Sequence, residues 1–145
     1  MDIRKAEMNE LNAAVELAMH LWPDGERQER LDELKVLVTG PESVIFLAWD
    51  GEIPAAYAQC QLRHDYVEGC DSSPVGYLEG VYVEPAYRGS GLAAQMLEKC
   101  QQWSRERGCT EFASDCELEN GASLRFHMKN GFEEAGRIIC FVKKL

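Results

Sequence analysis

Apolar residues change their spacing several times along this chain, and each change marks an element. Met1 to Lys5 can form a short opening strand. From Met8 to Trp22 the positions Leu11, Ala14, Val15, Ala18, Leu21 and Trp22 recur at helical intervals, and Pro23 closes the stripe. After the Asp24-Gly25 turn, Leu31, Leu34, Leu37 and Val38 mark a second helix that ends at Gly40-Pro41. The unbroken run Val44 to Trp49 reads as a buried strand and Asp50-Gly51 as a hairpin turn. The return strand runs from Ile53 to Arg63, with Pro54 near its start, where a missing N–H is tolerated. His64 to Pro74 is polar and reads as a loop. Gly76 to Val83 is a further strand, Gly91 to Arg107 a helix stopped by Gly108, and Glu111 to Cys116 a short strand. Asn120 to Asn130 reads as a short helix ended by Gly131, and Arg137 to Lys143 as a closing strand. The alternation predicts an α/β (α+β) fold with a mixed sheet. With no repeat, low-complexity tract or linker, residues 1–145 read as one domain.

Charge narrows the possible partners. Fifteen Lys and Arg against twenty-five Asp and Glu leave a formal net charge of −10. Nucleic acid and anionic membranes are poor partners for such a chain, because both need concentrated positive charge. Cationic small molecules or basic peptides suit it, although a negative surface also serves plain solubility. No apolar run approaches the roughly 20 residues that span a bilayer. The opening Met1-Asp2-Ile3-Arg4-Lys5-Ala6 lacks the apolar stretch of a signal peptide, which points to the cytoplasm. Cys60, Cys70, Cys100, Cys109, Cys116 and Cys140 form no C-x-x-C pair, so neither a zinc site nor a redox motif is expected. They are expected to be reduced thiols, most of them serving as small core hydrophobes.

The most informative stretch runs from Val81-Tyr82-Val83-Glu84-Pro85 through Ala86-Tyr87-Arg88-Gly89-Ser90-Gly91 to Leu92-Ala93. A strand ends, a glycine-rich turn follows, and a long helix starts at once. The first amides of a helix have no intrahelical acceptors and lie at the positive end of its dipole, a good match for a diphosphate. Gly89 and Gly91 allow unusual dihedrals, and Arg88 adds charge. The turn is neither a Walker A loop nor a dinucleotide G-x-G-x-x-G. By itself such a turn can equally be only a turn.

Arg-x-x-Gly-x-Ala after this strand resembles the acyl-CoA pyrophosphate loop of the GCN5-related N-acetyltransferase (GNAT) superfamily. Asn120, Ser123, Phe126 and His127, followed by Asn130-Gly131-Phe132, resemble the superfamily's second marker, whose helix covers the coenzyme arm. Leu21-Trp22-Pro23, the loop Arg63 to Pro74, Leu78-Glu79-Gly80 and Phe112-Ala113-Ser114-Asp115 look like the chromosomally encoded, dimeric aminoglycoside 6′-N-acetyltransferases. This resemblance covers nearly the whole chain. It implies a GNAT fold, a mixed, mostly antiparallel sheet flanked by about four helices. It further implies acetyl-CoA as co-substrate, a cytoplasmic homodimer, and acetylation of aminoglycosides that confers resistance. No metal is implied, because a thioester is already activated.

The resemblance also assigns residues. Val81, Tyr82 and Val83 would pair with the pantetheine arm, Arg88, Gly89, Ser90, Gly91, Leu92 and Ala93 would hold the pyrophosphate, and Asn120 would hydrogen-bond the arm. Glu79 and Asp115 would bind the substrate amine and pass on its proton, since transfer needs a neutral amine. Trp22 would wall a sugar ring, Tyr66 and Asp71 would touch substrate from the long loop, and His127 would protonate the leaving thiolate. Each has a plainer reading: a core aromatic for Trp22, an ion-paired residue for Glu79, a cap for Asp115, a solvated loop for Tyr66 and Asp71, a structural imidazole for His127. The family often carries a carboxylate four residues after the Phe of the Gly-Phe pair, and that position here is Gly136. His20 and His64 have no obvious partner in the sequence. Acetylation of another cationic amine (a polyamine, a small metabolite or a peptide N-terminus) and a non-catalytic coenzyme-binding module are the alternative readings.

Overall fold

A computed structural model describes all residues, 1–145. Its elements in chain order are β1 (Asp2–Lys5), a 3-10 turn (Met8–Glu10), α1 (Leu11–Leu21), α2 (Arg27–Thr39), β2 (Ser43–Asp50), β3 (Ile53–Arg63) and β4 (Val75–Val83). A second 3-10 turn (Pro85–Tyr87), α3 (Leu92–Arg105), β5 (Phe112–Ser114) and α4 (Gly121–Lys129) complete it. The strands lie in sequential order in one five-stranded sheet. The pairings from β1 to β4 are antiparallel, and β4 pairs with β5 in parallel. The mixed, mostly antiparallel sheet with four α-helices is the architecture expected.

The continuous apolar run of β2 is explained by burial on both faces of the sheet. Val44, Phe46 and Ala48 pack with Met96, Leu97, Cys100 and Trp103 of α3. Ile45 and Leu47 face the other way, onto Val15 and Ala18 of α1, Leu34 and Val38 of α2, and Tyr57 of β3. Cutting one fully buried leucine such as Leu34 back to alanine costs about 2–5 kcal/mol in cores of this kind.

Two expectations need correction. The closing strand Arg137 to Lys143 does not form within this chain: the segment has no ladder partner. Ile138, Ile139, Phe141 and Val142 are 82, 80, 89 and 94% exposed. The continuous run Ile138 to Val142, rich in β-branched and aromatic residues, supplies strand propensity, but a strand exists only where another edge accepts its hydrogen bonds. The thiols also divide differently from expectation. All six are free, but only Cys60, Cys100 and Cys109 are buried, while Cys116 and Cys140 are exposed. A smaller difference lies at the first helix, which begins at Leu11 after the 3-10 turn. No helix is long and apolar enough to cross a membrane.

Candidate active site

The site forms where β4 outruns β5. Gly76, Tyr77 and Leu78 pair with Phe112, Ala113 and Ser114, and there the ladder stops. β4 continues to Val83 with only β3 beside it, so the β5-side edge of Glu79 to Val83, including Val81, Tyr82 and Val83, is left open. An extended thiol-bearing arm can lie in that gap and pair with the strand. At the same point Gln59 faces Gly80 while Cys60 faces Leu78, which leaves Glu79 without a residue opposite. Glu79 is thus the extra residue of a β-bulge, a device that re-aims a side chain.

Three strands contribute to the charged cluster around it. Arg63, the last residue of β3, donates from Nη2 to both carboxylate oxygens of Glu79, with 2.9 Å to Oε2. The same guanidinium lies 3.5 Å from the centre of the Tyr77 ring. The Tyr77 hydroxyl donates to Asp115, one residue beyond β5. Burial pushes the Glu79 carboxyl above the ordinary glutamate value; Arg63 opposes that shift, and the neighbouring Asp115 adds to it. The Tyr77 phenol is pushed far up, first by burial and then by its bond to Asp115.

Trp22 comes to this cluster through a glycine. A β-carbon at Gly80 would stand 2.5 Å from Trp22 Cζ2 and 2.8 Å from Leu21 Cδ2, so only glycine lets the indole lie against β4. Trp22 also meets Tyr57 edge to face at 6.2 Å and carries the Arg30 guanidinium 4.8 Å from its ring centre. A cleft of about 450 Å³ opens beside it, lined by Leu21, Trp22, Pro23, Asp24, Gly25 and Arg30.

At the far end of β4 the glycine-rich turn takes the form its composition suggests. Gly89 and Gly91 have φ of +79° and +81°, and Gly91 is the N-cap of α3. No side chain caps α3, and its first turn holds no acidic residue. The amides that open this helix around Leu92 and Ala93 therefore face outward, unopposed by negative charge. Ser90 Oγ donates to the Tyr87 carbonyl at 2.7 Å, and Arg88 Nε donates to the Val83 carbonyl at 2.8 Å. Both side chains brace the turn, a task the sequence did not suggest for Arg88.

α4 reaches the end of β5 through His127. Asn120 Oδ1 accepts from the Ser123 amide at 3.1 Å, so the side chain expected at the coenzyme caps its own helix. His127 Nδ1 lies 2.6 Å from the Ser123 carbonyl, which can only accept, so this nitrogen carries a proton. His127 Nε2 lies 2.9 Å from Ser114 Oγ, and that hydroxyl is 3.0 Å from the Leu78 carbonyl, where β4 and β5 part.

The long loop stands further out. The Tyr66 ring is 74% exposed, and its hydroxyl donates to Glu68 at 3.4 Å rather than to Glu79 or Asp115. A β-carbon on Gly136 would stand 3.6 Å from Glu68 Oε1, so a carboxylate from the loop lies beside that position. The amides of Asp71 and Ser72 donate to Glu111 Oε1 at 2.9 and 2.8 Å, which pins the loop to the residue before β5. The two unassigned histidines acquire partners, His20 with Glu84 at 2.7 Å and His64 with Glu42 at 2.9 Å.

The structure therefore gathers Glu79, Asp115 and Trp22 around the open edge of β4 and leaves Tyr66 and Asp71 on the loop surface. The sequence reading missed Arg63, Tyr77, Ser114 and Glu111 as functional groups. Only the two-residue spacing of Tyr77 and Glu79 on one strand offered a signal for any of them. No group of three or more His, Cys, Asp or Glu side chains is placed to hold a metal ion.

Residues 10–132 match the model of the acetyltransferase (GNAT) family. This chain belongs to that family. Among GNAT proteins it is 42% identical over 141 residues to aminoglycoside N(6′)-acetyltransferase type 1 of Stenotrophomonas maltophilia, covering 96% of this chain and 90% of the relative. The solved structure of aminoglycoside N-acetyltransferase AAC(6′)-Iy in complex with CoA superposes with a TM-score of 0.95 at 36% identity, over 99% of this chain and 95% of that one. The same enzyme with the bisubstrate analogue CoA-S-monomethyl-acetylneamine gives a TM-score of 0.94 at 36% identity, over 99% and 98% of the two chains. The donors present fit the GNAT co-substrate: an uncapped, uncharged helix start for the diphosphate and an unpaired strand edge for the arm.

Proposed function

We propose that this GNAT enzyme transfers the acetyl group of acetyl-CoA to the 6′-amino group of aminoglycosides and thereby confers resistance to them. The observation that carries the reading is the bulge that presents the Glu79 carboxylate, beside Asp115 and Trp22, at the point where β4 and β5 separate. A polyammonium sugar requires both features, carboxylates for its charge and a flat aromatic wall for its ring.

The amine arrives as an ammonium and must lose a proton before its nitrogen attacks the thioester carbonyl. Glu79 and Asp115 hold the ammonium, and its proton leaves through Glu79 directly or through one water. A β4 amide at Val81 or Val83 donates to the carbonyl oxygen as negative charge grows there. The thiolate departs as the amide bond forms, and it takes a proton from the Ser114–His127 pair. Val81 to Val83 hold the arm, and Arg88 to Ala93 hold the diphosphate. Residues 1–145 act as one catalytic domain, in the cytoplasm.

The active form is a homodimer. The outer edge of β5 is open, and Arg137 to Lys143 carries four exposed apolar side chains with a strand pattern and no ladder partner of its own. A second copy supplies what each lacks, an edge for the segment and a strand for the edge, and it brings the partner's loop toward the site. Light scattering should give twice the chain mass for the full protein and the single mass after removal of residues 137–145. A monomeric full-length chain refutes the dimer.

Thiol release from acetyl-CoA in the presence of kanamycin tests the reaction. Turnover with kanamycin and its 6′-acetylated product support the reading, whereas turnover with spermidine or a peptide but no aminoglycoside overturns it.

A further inference from the structure

The amine site already contains a cation. Arg63 reaches from the end of β3 to place its guanidinium on both oxygens of Glu79, over the Tyr77 ring whose hydroxyl is bound to Asp115. Its side chain is 41% exposed, while that of Glu79 is only 13% exposed. One partner is thus free to swing into solvent, and the other is fixed by the bulge.

Without Arg63 nothing would offset the burial that already raises the Glu79 carboxyl, and Glu79 would more readily bind a proton in place of a substrate. Arg63 opposes that rise and balances the charge of the Glu79 carboxylate. Resting on the assignment of Glu79 and Asp115 as the amine site, we propose that Arg63 is a specificity-determining placeholder, a built-in cation that occupies the Glu79 carboxylate and that a substrate must displace. Displacement sets a threshold for substrates. A monoamine exchanges one cation for another and gains little, whereas a polyammonium sugar adds charge contacts beyond the one it replaces. The placeholder therefore selects polycations over the simple amines that any acidic pocket would otherwise accept. Arg63 does not touch the reacting atoms; it acts through Glu79.

Arg63→Gln and Arg63→Lys, compared with the native enzyme, test this. At a pH well above the carboxylate range, Arg63→Gln should lower the KM for kanamycin about fivefold, the worth of one partly exposed ion pair. Turnover of a monoamine such as benzylamine should rise, with kcat for kanamycin little changed. The acid limb of kcat/KM should move to higher pH, because the guanidinium that opposes the upward shift of Glu79 is gone while Asp115 and Tyr77 remain. Arg63→Lys should stay close to the native enzyme in all three. Calorimetric acetyl-CoA binding, expected to be unchanged, reports that the variants are folded. A KM for kanamycin that rises or stays level in folded Arg63→Gln, with no shift of the acid limb, overturns the proposal. Glu79→Gln separates the two levels: if it binds and acetylates kanamycin normally, the amine-site reading itself falls. If it is impaired while Arg63→Gln shows no gain, only the placeholder falls.

Discussion

The middle of β4 and its C-terminal end hold the two halves of the reaction and are built by opposite means. At its C-terminal end the turn from Glu84 to Gly91 is local: two glycines at positive φ, an uncapped helix start, and braces from Ser90 and Arg88 that span three and five residues. In its middle, the cluster of Arg63, Tyr77, Glu79 and Asp115 draws on β3, β4 and the end of β5, with Trp22 brought in from the end of α1. Backbone amides suit a ligand part common to every acyl donor. Side chains converging from distant segments suit the part that differs between substrates.

Substitutions in the two regions should therefore separate the kinetic constants. The largest effect is expected from Glu79→Gln, which should reduce kcat/KM for the aminoglycoside by about 10²–10⁴-fold while acetyl-CoA binding is retained, as for removal of a general base. The native acid limb should lie above the ordinary glutamate range, because burial raises the Glu79 carboxyl, and this limb should vanish in Glu79→Gln. A pH–rate profile measures both.

Gly80→Ala comes next. Its β-carbon would meet the Trp22 ring at 2.5 Å, so the indole must leave its place on β4. We expect the aminoglycoside KM to rise about tenfold or more, in line with the cost of a misplacement near 1 Å, with little change in the acetyl-CoA KM.

Gly91→Ala should show the reverse pattern. Nothing within 4 Å obstructs a β-carbon there, so the whole effect comes from φ of +81°. A left-handed residue costs roughly 1–2 kcal/mol outside glycine. The acetyl-CoA KM should rise severalfold and the aminoglycoside KM much less. Equal changes in both constants would dissolve the contrast between the two regions.

The smallest effect concerns the loop. Bonds from the Ser72 hydroxyl and the Asp71 amide hold the Glu111 carboxyl below its ordinary value. The tether is complete above the ordinary glutamate pKa and is lost as pH falls through the lowered one. Hydrogen exchange at the Asp71 and Ser72 amides should quicken in Glu111→Ala at neutral pH, and in the native protein only in acid.

Most of the secondary structure could be read from spacing. The stripe through Leu11, Val15 and Ala18, the run Val44 to Trp49 and the stop at Gly108 all act within one or two turns of chain. The glycine-rich turn was legible for the same reason, and the resemblance of Leu21-Trp22-Pro23, Leu78-Glu79-Gly80 and Phe112-Ala113-Ser114-Asp115 to a known family singled out Trp22, Glu79 and Asp115. The ion pair of Arg63 with Glu79 was not legible, since sixteen residues separate them and the bulge that aims Glu79 is a property of the pairing with β3. His127 could be named from its motif, but its partners Ser114 and the Ser123 carbonyl appear only when α4 is laid beside β5.

Arg137 to Lys143 marks the boundary. Local composition fixed its tendency to extend, as it fixed the helices and the phosphate turn, because propensity and dihedral freedom reside in single residues and their near neighbours. Which edge receives the segment, which carboxylate faces which cation, and where two strands part were set by long-range pairing. Hydrogen bonds and burial between distant segments exist only once the chain has closed on itself.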